Sequence, residues 1–424
     1  MIWIFLLLMM LLIMLRAPIV VALGLPALVW LVFNDISLGI TTQRMFGTLN
    51  NSVLLAVPMF LLAGRLMNLL GVTGKIFDFA MAVVGHIRGG LGHVVVLTSM
   101  IFSAMSGSAA ADAVGVGTIT VKEARERGYE PEFAAAITLS ASTLAPVIPP
   151  SIIMIIYGAT ANISIGRMFV GGIVPGLMFA ALLMIAVSLI SRRRNYPLGD
   201  AFSLRRLGST FCQAFLVLLT PAIIIGGIFF GFFTPTEAAT VAVLYVLLLG
   251  LWYRTLTWKA LYREFITTGS TVGVLMLVIG ISGLDGWVFT REQLPLLFME
   301  GVSDLVSAPW AVAFVLLGVV LLLGMFMDAT PIILMVTPVM MPMVNAAGLD
   351  PIHFGVLFCM TCVIGLITPP VGVALYGVAT VSKLPMERVF WATLPFFFAL
   401  LAGIAFMVFV PEIITYAPNT LMGQ

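Results

Sequence analysis

An all-α polytopic membrane protein, built from inverted repeats with two re-entrant helical hairpins and two broken helices, is the fold class that the sequence predicts. Three observations predict it. Of 424 residues, 61% are hydrophobic and only 9% are charged, and the mean hydropathy is +1.17. That is too little charge to cover a soluble surface of this size. The basic residues gather on one side of the implied membrane. Finally, STLAPVIPPS (Ser142 to Ser151) and CVIGLITPPV (Cys362 to Val371) each bury a Pro-Pro pair in an apolar run. A proline inside a helix removes a hydrogen bond and clashes with the preceding turn, at about 3 kcal/mol or more. A matched pair of such breaks asks for a purpose.

Runs long enough to cross a hydrocarbon layer of about 30 Å lie near 1–15, 18–33, 52–70, 133–158, 169–190, 214–232, 236–252, 264–283, 352–380 and 390–411. The first lacks the basic leader of a cleavable signal peptide and reads as a retained helix ending at Arg16. Two further apolar regions, near 92–121 and 309–345, are interrupted midway by small or polar residues. They read as hairpins that enter and leave on one side, since non-helical backbone at depth is tolerated only against protein or a wet cavity. The basic stretch SRRRNYPLGDAFSLRRLG (Ser191 to Gly208) is the clearest internal boundary.

The positive-inside rule tests this assignment. With Arg16 in the cytoplasm, all basic residues except Arg44, Arg65, Arg167 and Arg291 fall on the cytoplasmic side. Reading either hairpin as a full crossing inverts everything downstream and destroys the agreement. The first hairpin then opens to the cytoplasm and the second to the outer face, with both termini outside.

The two halves also match in order. Gly128, Pro131 and Pro149 are spaced as Gly348, Pro351 and Pro369 are; Tyr157-Gly158 answers Tyr376-Gly377, and Pro175 answers Pro395. An amphipathic link (Gly71 to Gly90; Gly283 to Ser307) precedes each hairpin. Inverted repeats with broken helices near the midplane are the architecture of secondary transporters. A single kink is ordinary packing, whereas two matched kinks facing two hairpins point to sites. Freed carbonyls with neighbouring hydroxyls suit Na⁺, and half-helix N-termini attract anions.

The first tip, SAMSGSAAADA, offers Ser103, Ser106, Gly107, Ser108 and Asp112. Small residues permit close helix approach. Asp112 reads equally as an ionisable group at depth, functional by default, or as a helix cap. The second tip, LGMFMDATPI, carries Gly324, Asp328, Thr330 and Pro331, and Asp-x-x-Pro fits a helix restart capped by Asp328. Met325 and Met327 read as hydrophobic filling. The facing breaks offer Ala145, Ile148 and Pro149 in one repeat, and Gly365, Thr368 and Pro369 in the other. Two pseudo-symmetric cation sites follow, with a substrate between the tips.

Other residues read as structural. Arg65 lies in an apolar run, where it could pair with an acid or contact an anionic substrate; snorkelling, or a helix end that falls earlier than the run suggests, is the preferred reading. Arg167 marks the outer interface, Glu237 complements a helix start after Pro235, and Cys359 and Cys362 pack inside a helix. Catalysis is not expected: His86, His93 and His353 form no i,i+4 metal pair, and a Gly107-Ser108 hydrolase has no base. No cofactor is implied, and nothing points to nucleic acid. A passive channel fits less well than alternating access.

SGSAAADAVGVGTIT, LAPVIPPSIIMIIYGATANISIGRMFVGGIVPG, GFFTPTEAAT and GLITPPVGVALYGVA closely resemble the large membrane subunit, DctM type, of tripartite ATP-independent periplasmic (TRAP) transporters. The resemblance spans nearly the whole chain. It implies an elevator-type transporter in the bacterial inner membrane: hairpins and broken helices slide through a scaffold of the remaining helices. It implies Na⁺ as the coupling ion, held by Ser103, Ser106, Ala145, Ile148 and Pro149 at one site, and by Gly324, Gly365 and Thr368 at the other. Two partners are implied, a small four-helix membrane subunit (DctQ type) and a periplasmic substrate-binding protein (DctP type). The cargo is a small organic anion, carboxylate or sulfonate. No fused small subunit is expected. The alternative is an autonomous anion/Na⁺ symporter that needs no soluble protein. In these terms the expected domains are N-terminal scaffold helices (1–51), a first inverted repeat (52–190), a basic cytoplasmic link with scaffold helices (191–263), and a second repeat (264–424).

Overall fold

The computed structural model describes residues 2–15, 17–294 and 308–422, with the side chains of Ala110 and Ala111 excepted. Arg16 and most of the second amphipathic link, through Ser307, lie outside these residues. Helix dominates, and the described residues contain no strand beyond an isolated bridge between Arg88 and Leu198.

The chain opens with α1 (Ile2–Met14), α2 (Ile19–Phe33) and a short α3 (Gly39–Leu49), followed by α4 (Ala56–Leu69) and the link helix α5 (Val72–Val84). A first hairpin, α6 (Gly90–Ser106) and α7 (Ala109–Glu126), precedes a broken pair, α8 (Pro131–Ala141) and α9 (Ile152–Ala161). Three long helices carry the middle of the chain: α10 (Ile165–Arg193), α11 (Leu204–Phe229) and α12 (Pro235–Trp252). After α13 (Trp258–Arg291) come a second hairpin, α14 (Pro309–Gly324) and α15 (Ala329–Ala346), and a second broken pair, α16 (Pro351–Leu366) and α17 (Val373–Ser382). The helices α18 (Met386–Phe409) and α19 (Glu412–Leu421) complete the described chain.

Local chemistry sets these ends. Asp350 caps α16, accepting from the N–H groups of Ile352 (2.8 Å) and His353 (2.9 Å), with Pro351 in the first turn, where no donor is needed. Thr234 and Glu237 form a reciprocal capping box at the start of α12, the structural role expected of Glu237. Ser151 restarts the first broken helix by accepting from the Met154 N–H at 3.2 Å.

Seven of the described helices are long and apolar enough to cross a membrane. With 34 residues, α13 is about 51 Å long, so it tilts or projects well past the hydrocarbon layer. The expected run 264–283 covers only its middle, and α11 begins ten residues before the run expected at 214. Both extensions are polar-flanked turns that apolar content alone does not reveal. The short helices α3 and α19 were not foreseen for the same reason.

The two broken pairs and the two hairpins pack as one unit. The second half of each broken helix lies on the other half's hairpin: α9 packs against α15, and α17 against α7. The first halves stay with their own, α8 on α6 and α7, α16 on α14 and α15. Apolar tails of lipid offer no hydrophobic advantage over these contacts, so close approach of small residues has to hold them. At the crossing of α9 and α16, a Cβ on Gly355 would stand 2.3 Å from a ring carbon of Tyr157, whose ring is fully buried. We expect Gly355→Val to force Tyr157 out of place at a cost of about 1–3 kcal/mol. A lowered midpoint of thermal unfolding in detergent checks this, and Gly208→Val, where the added carbon meets nothing within 4 Å, is the control.

Candidate functional site

The chemistry of each break can be counted from its prolines. Lacking an N–H, a proline leaves the carbonyl four residues earlier without its helical donor. Pro149 does this to Ala145, and Pro369 to Gly365. The two breaks therefore remove a helical donor at the same relative position, although the Gly365 carbonyl regains one from the Thr368 N–H at 3.0 Å. The second prolines, Pro150 and Pro370, do the same to Pro146 and Leu366, and both Pro-Pro bonds are cis. In the first break the Ser151 hydroxyl takes over the Pro146 carbonyl at 2.6 Å. The carbonyls of Ala145, Ile148 and Pro149 accept no backbone hydrogen bond from the described residues.

The first hairpin delivers its tip to this spot. Its first arm, α6, ends when Gly107 takes a left-handed conformation (φ 59°), its N–H donating to the Ser103 carbonyl at 3.1 Å. Glycine is required here twice, for that φ and for space. A Cβ would lie 3.0 Å from the Pro150 carbonyl oxygen and 3.4 Å from the Ile152 nitrogen. Gly64 of α4 closes on the tip's other side, where a Cβ would be 3.0 Å from the Ser106 Cα. Ser103 and Ser106 are buried. The Ser103 hydroxyl donates to the Ser99 carbonyl and keeps lone pairs free, while the Ser106 hydroxyl has no partner. Ser103, Ser106 and the residues of the first break are thus buried on either side of the Gly107 contact. Ser108 is half-buried at the turn into α7.

Asp112 sits in the first turn of α7, fully buried. Neither carboxylate oxygen has a hydrogen-bond partner, so it makes no capping bond. The nearby Ser99 hydroxyl, equally unpartnered, is the polar group that bears on it. Sequence reasoning passed over Ser99. The signal was there, because Ser99, Ser103 and Ser106 repeat at helical spacing on one face of α6.

At the second tip, Gly324 and Gly365 touch backbone to backbone. A Cβ on Gly365 would stand 2.5 Å from the Gly324 Cα, and one on Gly324 would stand 2.9 Å from the Cys362 carbonyl oxygen. The Met325 carbonyl, just beyond α14, accepts from the Val371 and Gly372 N–H groups (3.2 and 3.4 Å), tying tip to break. Met325 therefore acts through its backbone, which its side-chain chemistry did not announce. Thr368 donates its hydroxyl to the Ile364 carbonyl at 2.8 Å and its N–H to Gly365 at 3.0 Å. Asp328 occupies the N-cap position of α15 with extended backbone, but its side chain makes no capping hydrogen bond. It is exposed, whereas Thr330 two residues on is buried.

The two sites differ in access. Every residue from Leu144 to Ser151 is buried, while Asp328, Pro370 and Val371 are exposed. Among the described residues no cluster of three His, Cys, Asp or Glu side chains is arranged for a metal ion. What the breaks present is hydroxyl and carbonyl oxygen, the donor set that replaces water around an alkali cation. Cys359 and Cys362 are buried free thiols inside α16.

Arg65 departs from expectation. Instead of snorkelling, it donates to the Thr271 hydroxyl at 2.9 Å and approaches Glu264 at 4.0 Å. Glu264, near the start of α13, meets Arg65 because α13 packs along α4. Arg167 bonds the Asn419 side chain of α19.

Residues 6–413 match the family described as tripartite ATP-independent periplasmic transporter, DctM component. The sialic acid TRAP transporter large permease protein SiaM of Vibrio cholerae is 39% identical over 393 residues, 92% of each chain. The 2,3-diketo-L-gulonate TRAP transporter large permease protein YiaN of Escherichia coli is 37% identical over 392 residues, again 92% of each. Among solved structures, the Alcanivorax borkumensis YdaH transporter superposes with a TM-score of 0.61 over 89% of this chain and 88% of its own, at 14% identity; that likeness speaks for the fold alone. The broken helices, the hairpin tips laid against them and a family match over nearly the whole chain lead to one identification: this is a member of the DctM family, a multi-pass inner-membrane permease subunit that works as a secondary transporter and not as an enzyme.

Proposed function

We propose that this chain imports a small organic anion, carboxylate or sulfonate, driven by Na⁺ and supplied by a periplasmic substrate-binding protein, with a small four-helix membrane subunit completing the scaffold. The relatives named above are permeases for sialic acid and 2,3-diketo-L-gulonate, both organic acids, which supports the cargo class. The observation that carries the Na⁺ reading is the pair of matched breaks, each removing the helical donor of the carbonyl four residues before its first proline and each covered by a hairpin tip; the first leaves that carbonyl with no backbone donor among the described residues.

Ser103, Ser106, Ala145, Ile148 and Pro149 would hold one ion, and Gly324, Gly365, Thr368 and Pro369 the other. A bound cation supplies the positive charge that an anion between the tips needs in a medium of low dielectric. Gly107, Ser108, Thr330 and the two acids, Asp112 and Asp328, stand at the tips where such an anion would rest. The reciprocal packing of α9 on α15 and α17 on α7 supports treating hairpins and broken helices as a body that moves as one, carrying both sites across the membrane in an elevator stroke. The inverted-repeat reading, which makes that body pseudo-symmetric, draws support from the matched order of its elements.

The decisive test is reconstitution of the chain with its small subunit in proteoliposomes. Uptake is expected only with binding protein present and Na⁺ outside; uptake without the soluble protein would favour an autonomous symporter. Ser106→Ala combined with Thr368→Ala should raise the half-saturating Na⁺ concentration several-fold, and unchanged Na⁺ dependence would count against both ligands. For Asp112→Asn we expect an unfolding midpoint that stays or rises, because a buried carboxylate without a partner costs stability. We expect uptake in the same variant to drop at least tenfold; full uptake would assign Asp112 no part in transport.

A further inference from the structure

A cavity of about 670 Å³ lies away from both breaks. It sits between α3 and α13 on one side and the C-terminal end of α9 and the middle of α15 on the other. By the charge pattern this is the outer side. That volume falls within the range of small-molecule sites. Along α13 it reaches from Thr290 down to Ile279, about 16 Å at helical rise. On α15 it stops at Leu334, six residues and about 9 Å from Asp328. It is a passage from the outer face toward the second hairpin tip.

Its chemistry has one sign. Among the described residues, Arg44 is the only charged one in the lining, with no acid beside it there. The guanidinium is exposed, and no ion pair holds it among the described residues. It rests over the Trp287 ring, 5.3 Å from its centroid, while Arg291 approaches the same ring at 5.4 Å. Cation–π contact orients a guanidinium without neutralising it. Asn51 lends its side-chain oxygen to the Val53 N–H at 3.0 Å, which leaves its amide NH₂ as a donor. The wall is built close: a Cβ on Gly283 would stand 1.8 Å from the Thr48 hydroxyl, so only glycine lets α3 settle onto α13. A planar, fork-shaped donor beside amide donors, with no competing carboxylate, is what binds a carboxylate.

We propose that this cavity is a waiting site for the organic anion, in which Arg44 receives the carboxylate released at the outer face before it reaches the hairpin tips. The inference rests on the transport reading and assigns it an entry site. Arg44 here is a binding residue, distinct from the Na⁺ ligands.

Two measurements test it. In proteoliposomes with the small subunit and binding protein, Na⁺-driven uptake of labelled sialic acid, 2,3-diketo-L-gulonate and succinate identifies the transported acid. Arg44→Gln should raise its half-saturating concentration about tenfold with little change in maximal rate, and Arg44→Lys should recover part of the loss. Without binding protein, Thr290→Cys in a Cys212→Ser background should react with a membrane-impermeant thiol reagent added outside. The same acid should slow that reaction at least threefold, and Arg44→Gln should abolish the protection. An unchanged half-saturation in Arg44→Gln, or protection that survives it, overturns the waiting site and leaves the transport reading standing. A shift seen only in the dependence on binding-protein concentration, with no protection of the thiol that Thr290→Cys introduces, places Arg44 in docking and also overturns it. Should the intact complex take up none of the three acids, the transport reading fails. Protection by each acid in turn then decides the cavity alone: its loss in Arg44→Gln upholds anion binding there, and its absence rejects it.

Discussion

A peptide group in the hydrocarbon layer must find a hydrogen-bond partner within the protein. The rest of this structure follows from how two segments meet that requirement without being helical. Each Pro-Pro pair leaves carbonyls unserved at depth, and each is met by a hairpin tip brought to backbone contact. Gly107 against Pro150, and Gly324 against Gly365, are the points where that contact is made. The hairpins are therefore as much a condition of the breaks as a companion to them. Remove the tip and the break faces lipid with bare oxygens.

The partners chosen differ between halves. In the second break, protein donors do much of the work: Val371 and Gly372 reach the Met325 carbonyl, and Thr368 serves Gly365. In the first, several oxygens remain with no protein donor although the site is closed. A buried acceptor without a donor is costly, so the first site is the one whose stability would gain more from a cation. Asp112, in the first turn of the helix that follows the same hairpin tip, is likewise buried with no partner.

Much of this was legible in the residues. Hairpins and broken helices fell within a few positions of their expected bounds, because proline, glycine and serine act locally and leave their mark at fixed spacing. The helical donors lost to the carbonyls of Ala145 and Gly365 also follow by counting. What escaped was set by tertiary contact. The Met325 carbonyl serves the second break irrespective of its side chain, and the Arg65–Glu264 approach depends on how α13 packs along α4. Asp328 looked like a cap and holds the cap position without the cap bond. The cavity at Arg44 arises from four helices distant in sequence, and no single stretch announces it.

The exchange of α9 and α17 between the two halves bears on biosynthesis. The segment that covers α9 leaves the ribosome on the order of 170 residues after it, which at cellular rates is on the order of 10 to 30 s. For that interval a proline-broken, partly polar segment must be sheltered by the insertion machinery or remain at the interface. Insertion of the first half is thus provisional until the last third of the chain arrives. Damage to the late segments would be felt first as misassembly of the early ones.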